Sequence, residues 1–492
     1  MKRRAREQGG VTVFFAFFFS ARVDAPAITN DEDDRLRHSG AASRGSTERT
    51  SGSFVDNARR ALHIGSMKWR NQLLALFCLV VFAAFGVFYF QHWVVQKPFG
   101  IILFVGEGLS PGRLAAARVY AAGADNPLGL DSMPHLALLT NYSNDFAAPD
   151  QAAAATALAT GVKVNNRFIG TDAEGRALPN LIELAREAGR ATGLITNTNI
   201  TDPTAAAFYA HTTDQNDKSG LARQIADGAG IDLVLGGGAG DFLPQSKGGR
   251  REDQRDLVLE IRRKGVDLVR TKAELEAIPA WRRPKLFGAF SQGELAFADQ
   301  IAARSEQPSL SDMVRRAIEL LQFNRAGYLL VVDAGLMRKA AEKNDAEHTL
   351  TETLELDRAV AVARRYAGGK SVIFVCGDVA IGGLNLNGYP FRKDRGVALL
   401  GFNSAGDPWF SWASGPNGGK SYGAAKLAVS HHSPAPKDPT TPETPQEPAA
   451  FYAPSALNTV DDVVVFGTGP GAEVLHGSLE NTAVFTIIRD NL

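Results

Sequence analysis

Ile101-Ile102-Leu103-Phe104-Val105-Gly106-Glu107-Gly108 is an unbroken apolar run that closes on a single carboxylate between two glycines. A run with no polar face marks a strand buried on both sides, not a half-exposed one. Similar short runs recur at Thr192 to Ile195, Asp232 to Leu235, Tyr328 to Val332, Ser371 to Cys376 and Val463 to Gly467. Helical patterns separate them, such as Asn180 to Ala188 and Thr349 to Ala367. This alternation predicts an α/β fold with a large, mostly parallel central sheet and helices on both faces. Sites in such sheets form beyond the carboxyl ends of the strands, which is where Glu107 falls.

With 492 residues the chain is too long for one ordinary domain plus a tail unless its core is a large sheet. Lys+Arg 53 balances Asp+Glu 53, so nothing in the charge points to a nucleic-acid partner. Cys78 lies in a hydrophobic span and Cys376 in a buried strand pattern. A disulfide between them is not expected, and two cysteines so placed make no thiol metal site.

Leu73 to Phe90 is continuously apolar and ends at Gln91-His92-Trp93. That length approaches what a helix needs to span a bilayer, and Trp93 suits the interface. Arg59, Arg60, Lys68 and Arg70 precede the run, whereas only Lys97 follows closely. The positive-inside rule then leaves the N-terminus in the cytoplasm and exports everything after about residue 95. No small-x-small cleavage site follows, so residues 67–96 read as an uncleaved signal-anchor of a single-pass cell-membrane protein. Its main domain, 97–492, would be periplasmic or extracellular. Residues 1–66 are rich in Arg, Ser and Asp and read as unfolded. They are either a disordered cytoplasmic extension or a stretch upstream of a true start at Met67. Pro434 to Pro448, in a loop at 432–449, has the composition of an extended surface loop.

Asp150-Gln151-Ala152-Ala153-Ala154-Ala155-Thr156-Ala157, continuing to Thr160-Gly161-Val162-Lys163, carries a further signal. Together with Ile231 to Gly238, Pro308-Ser309-Leu310 leading to Met313, and Glu352 to Val360, it resembles the alkaline phosphatase family in order and spacing. The resemblance runs from about Phe99 to Ile488. It implies a site of two zinc ions and one magnesium around a serine nucleophile, and homodimers are common in the family. Here the serine's place is taken by Gln151. A primary amide has no ionisable hydroxyl and cannot form a covalent phosphoryl intermediate.

The other positions follow from the resemblance one by one. Glu107 stands for the metal-bridging aspartate. Asp202 and Thr204 stand for the magnesium-binding Asp-x-Thr, and Asp333 for the glutamate completing that site. Such an oxygen set suits one magnesium or calcium. The phosphate-binding arginine falls on Gln215, counted on from His211. The Asp-x-x-x-His pair of one zinc falls on Arg338 and Glu342, and its third ligand on Asn458. A guanidinium offers no lone pair and repels a divalent ion at contact by several kcal/mol. The Asp-His pair of the other zinc reads Asp378-Val379, leaving one acid and no imidazole, so zinc is not expected. His348 and His431-His432 read as ordinary exposed or structural histidines. Gly236 to Gly238 lacks the Lys-Ser/Thr of a phosphate loop and reads as a tight turn.

Three functions stay open on the sequence. The first is a membrane-anchored pseudoenzyme that binds a phosphate-containing or other small ligand, or a partner. The second is a phosphatase or related phosphoryl or sulfuryl hydrolase with an altered metal and a water nucleophile, using Glu107, Asp150, Asp202, Asp333 and Asp378. The third is an envelope scaffold recruiting partners through the Pro-rich loop.

Overall fold

The computed structural model describes residues 53–89, 99–282, 285–303, 306–387, 408–419 and 447–492. His431-His432 and nearly all of the Pro-rich loop lie outside these residues, as do Trp93 and Lys97. The chain divides into two compact units, Met1–Val87 and Phe88–Leu492.

The first unit contains most of the helix Ser53–Tyr89. Within that helix, Trp69–Phe88 is long and apolar enough to cross a membrane, and none of it is buried. The helix starts upstream of Met67, so the last part of the segment expected to be unfolded is helical.

The second unit has thirteen described strands. They are β1 (Gly100–Gly106), β2 (His135–Thr140), β3 (Ala191–Asn199), β4 (Leu233–Gly237), β5 (Asp267–Val269), β6 (Leu286–Ala289) and β7 (Tyr328–Ala334). The rest are β8 (Val372–Gly377), β9 (Asn385–Leu386), β10 (Phe410–Gly415), β11 (Ala449–Tyr452), β12 (Val463–Thr468) and β13 (Ser478–Glu480). Ten strands form one sheet in the order β13-β2-β12-β8-β1-β7-β3-β4-β6-β5. Its pairings are parallel except where β12 runs antiparallel to β8 and β2. β9, β10 and β11 form a separate small sheet.

β1 lies between β7 and β8 with every residue buried, as its apolar run requires. Ile102 and Phe104 enter a core built with the helices Pro111–Ala122, Leu310–Leu321 and Ala346–Tyr366. Ile101, Leu103 and Val105 enter the opposite core, with Gln151–Thr160, Leu181–Glu187 and Lys218–Gly228. Burying each such side chain favours folding by roughly 1.5–3 kcal/mol, so both faces of β1 hold the sheet between its helical layers. The three-layer α/β expectation is met.

Local chemistry sets the helix ends. Asn180 accepts hydrogen bonds from the Ile182 and Glu183 amides while Glu183 reaches back to the Asn180 N–H, a reciprocal cap. Ser309 and Asp312 repeat the arrangement at Leu310–Leu321. Asp150 caps Gln151–Thr160, which ends at Gly161 in the left-handed region. These caps aim the helix starts at the carboxyl edge of the sheet.

Candidate active site

Glu107 follows the last residue of β1 and is fully buried. One of its carboxylate oxygens, Oε2, accepts from Arg338 Nε, and Arg338 Nη1 donates to Glu342. Arg338 lies on the helix Leu336–Ala341 that follows β7, and Glu342 is that helix's C-cap, one turn on. The guanidinium therefore sits between two carboxylates, with 7% of its side chain exposed. Burial opposes its charge, but Glu107, Glu342 and Asp202 outweigh that and strengthen its hold on the proton.

The turn after β1 leaves no room for a side chain. Gly108 has φ +83, and a Cβ there would stand 2.3 Å from Arg113 Nη1. Arg113 is buried and donates to the Glu107 carbonyl at 2.9 Å. Burial lowers its pKa to about 10, partly offset by Asp378, so it stays charged.

Asp378 follows β8 and accepts from the Gly108 amide at 2.8 Å and the Val379 amide at 2.6 Å, both on Oδ1. Its Oδ2 has no partner. Burial first, and then the charge of Glu107, push its pKa up to about 7. Asp333, in β7, accepts from Thr196 Oγ1 at 2.7 Å, while its Oδ1 is buried without a partner. Burial and Glu107 push Asp333 well above the carboxylate range.

Asp202 is spoken for differently. Lys339 Nζ and Lys218 Nζ each lie 3.2 Å from its carboxylate, and Lys339 also reaches Glu294 at 2.9 Å. Burial would raise the Asp202 pKa, but Lys339, Lys218 and Arg338 hold it down at about 2. Thr204 Oγ1 is buried with no partner.

At the mouth, Gln151 Nε2 donates to Asn458 Oδ1 at 3.1 Å, and Asn458 Nδ2 donates to the Pro149 carbonyl at 2.8 Å. Gln215 Nε2 donates to Asp150 Oδ2 at 2.9 Å. That oxygen also accepts from the Arg167 amide at 2.7 Å. The side-chain amides of Gln151 and Gln215 are thus engaged with protein groups.

The fold brings together Glu107, Asp333, Asp378, Arg338 and Glu342, and links Gln151 to Asn458. Asp202 acts on Arg338 as well, but its carboxylate lies against the two ammonium groups of Lys218 and Lys339. Among the described residues, no three His, Cys, Asp or Glu side chains are grouped to hold a metal ion. A zinc pair does not fit these residues: a guanidinium stands between Glu107 and Glu342, and among the described residues no imidazole or thiolate joins them in a metal-holding group. Glu107 Oε1, Asp333 Oδ1 and Thr204 Oγ1, which are buried without a hydrogen-bond partner among the described residues, are oxygens of the hard type that magnesium or calcium takes.

His348 stays out of the cluster, bonded to Asp345 at 2.6 Å and stacked on Phe297 at 4.1 Å. His211 binds the Gly170 carbonyl at 2.7 Å and Glu183 at 3.2 Å, a structural tie. Sequence reasoning missed Lys339, Lys218, Thr196 and Arg113. Lys339 was one step from Arg338 in the same register. The other three come from segments with no local signal.

Residues 100–492 match the alkaline phosphatase family. The chain belongs to the alkaline phosphatase family. The tissue-nonspecific alkaline phosphatase of Gallus gallus is 28% identical over 443 residues, covering 79% of this chain and 83% of that protein. Alkaline phosphatase 4 of Bacillus subtilis is 30% identical over 282 residues, covering 54% of this chain and 58% of that protein. The crystal structure of Thermus thermophilus alkaline phosphatase superposes with a TM-score of 0.64 at 25% identity, covering 81% of this chain and 92% of that one. A mutant of the TAB5 alkaline phosphatase, solved with Mg bound in its M3 site, shares the fold at a TM-score of 0.61 and 19% identity, covering 80% and 98%.

Proposed function

We propose that this chain is a membrane-anchored alkaline phosphatase family protein that has lost phosphomonoester hydrolysis and binds a ligand or partner at the former cleft. One observation carries the reading: the Arg338 guanidinium, buried between Glu107 and Glu342, provides as a side chain the positive charge that zinc provides in the family. Hydrolysis there needs a nucleophilic hydroxyl and metal ions clamping the entering and leaving oxygens. Gln151 supplies no such oxygen, and its amide is bound to Asn458. At most one magnesium or calcium sits on the orphan oxygens of Glu107, Asp333 and Thr204. Trp69–Phe88 anchors the protein in the cell membrane, with the basic residues before it on the cytoplasmic side.

The test is elemental analysis of the full-length protein in detergent, followed by an aryl phosphate assay with and without added zinc. The expected result is no zinc, at most one magnesium or calcium per chain, and no turnover. Two bound zinc ions with robust turnover would end the reading. Gln151→Ser is expected to stay inactive, because the hydroxyl it introduces adjoins Asn458, and a guanidinium in place of a metal stands on Glu107. Substantial hydrolysis by that variant alone would show that the metal sites survive.

A further inference from the structure

A second concave site lies on the same carboxyl edge of the sheet, at the ends of β4, β5 and β6. It is a pocket of about 460 Å³, in the range of small-molecule sites. Its floor is apolar, with Val258, Phe287 and Phe290 buried and Leu268 half-buried beside them. Its rim carries Lys247, Arg270 and Ser291. The short helix Ala239–Phe242 stands between it and the former cleft, since Ala239 lines the pocket while Asp241 accepts from Thr201 Oγ1 at 2.5 Å. Thr201 adjoins Asp202 in the chain.

The rim leaves two polar groups unengaged. Lys247 pairs with Asp256 at 2.7 Å. Arg270 acts on the same Asp256 only through its field. Its backbone N–H donates to Glu274 at 2.6 Å, but among the described residues its guanidinium makes no hydrogen bond or ion pair. Ser291 Oγ likewise has no partner there, while the Ser291 carbonyl accepts from the Ala239 amide at 2.9 Å. Lys247 and Arg270 are matched in number by the carboxylates of Asp256 and Glu274, but the Arg270 guanidinium and the Ser291 hydroxyl make no bond among the described residues and stand above an apolar floor.

We propose that this pocket binds a small amphipathic monoanion, its compact apolar body on Val258, Phe287 and Phe290 and its acid group on Arg270 and Ser291. A neutral apolar molecule leaves the guanidinium unanswered. A bare inorganic anion leaves the floor wet, and a dianion meets Asp256. The inference stands apart from the function proposed above, since none of its residues belongs to the former cleft.

The probe is 1-naphthoate, titrated calorimetrically into the full-length protein in nanodiscs, with empty discs as background. Saturable one-to-one binding is expected. Arg270→Glu, an exposed-site change that spares the core, is expected to weaken it about tenfold. The neutral analogue 1-naphthalenemethanol is expected to bind about tenfold more weakly than 1-naphthoate. Gln151→Ala is expected to leave 1-naphthoate binding unchanged, and inorganic phosphate is expected not to compete. The proposal is overturned if 1-naphthoate does not bind, or if Arg270→Glu binds it like the natural chain. Equal affinity for the alcohol, competition by phosphate, or loss of binding in Gln151→Ala would overturn it as well.

Discussion

Arg338 brings a permanent charge into a place that is almost closed to water, with 7% of its side chain exposed. Only the flanking carboxylates make that tolerable, and the converse holds for Glu107. Removing the guanidinium alone leaves Glu107 buried and uncompensated. Arg338→Ala is therefore expected to cost about 3–5 kcal/mol, read as a shift of the urea midpoint. The double variant Glu107→Gln with Arg338→Met removes both charges at once and is expected to recover most of that loss. If the two single changes were each silent, the ion pair would not hold the site together.

Among the elements, the helices owe their starts to side chains that satisfy free amides. Asn180 accepts from two amides of the helix Leu181–Glu187 and is fully buried. Asn180→Ala is expected to lower stability by about 1 kcal/mol, measured by chemical denaturation. The same helix supplies Glu183 to His211, so loosening its first turn is also expected to loosen the loop carrying His211. Hydrogen exchange of the Thr212 amide, which donates to the Ile169 carbonyl at 2.9 Å, would report that coupling. Unchanged exchange would limit the effect to the helix itself.

For the whole molecule, the buried acids set the direction of pH dependence. Burial pushes Asp378 up to about 7, Glu352 up to about 8, and Asp333 well above its usual range. Each keeps a proton when folded that the unfolded chain releases above about pH 4. The native state then binds more protons, so stability falls as pH rises from about 4 towards 8. His211, held protonated by Glu183, adds stability below about 6.5 that is lost as pH rises through its raised pKa. Asp202, held down at about 2, works the other way only below about pH 4. The midpoint of thermal unfolding is thus expected to be higher at pH 5.5 than at pH 8.5. Glu352→Gln should shrink the difference, and a midpoint that rises with pH across this range would contradict the assignment. A chelator is expected to lower the midpoint near neutral pH by no more than the loss of one magnesium or calcium, a fall that either ion reverses, because Arg338 and Lys339 already neutralise neighbouring carboxylates. A fall reversed by zinc alone would show the opposite.

Much of the fold was legible in the residues. β1, β3, β4, β7, β8 and β12 each announce themselves as apolar runs, because a strand buried on both faces needs no alternation. β5 and β13 do not, being three residues each, and β2 hides because Leu136 and Leu138 on its outer face are exposed apolar groups. At the site, the family resemblance singled out Gln151, Arg338, Glu342 and Asn458, and the structure joins Gln151 to Asn458 and Arg338 to Glu342. What each side chain does there was not legible. That Asp202 meets Lys218 and Lys339, that Asp333 meets Thr196, and that the Arg270 guanidinium makes no ion pair among the described residues depend on segments far apart in the chain. The sequence determined which charges enter the cleft. Only the tertiary structure decided which of them neutralise one another, because Coulomb energy depends on distance and burial, and neither can be read along a chain.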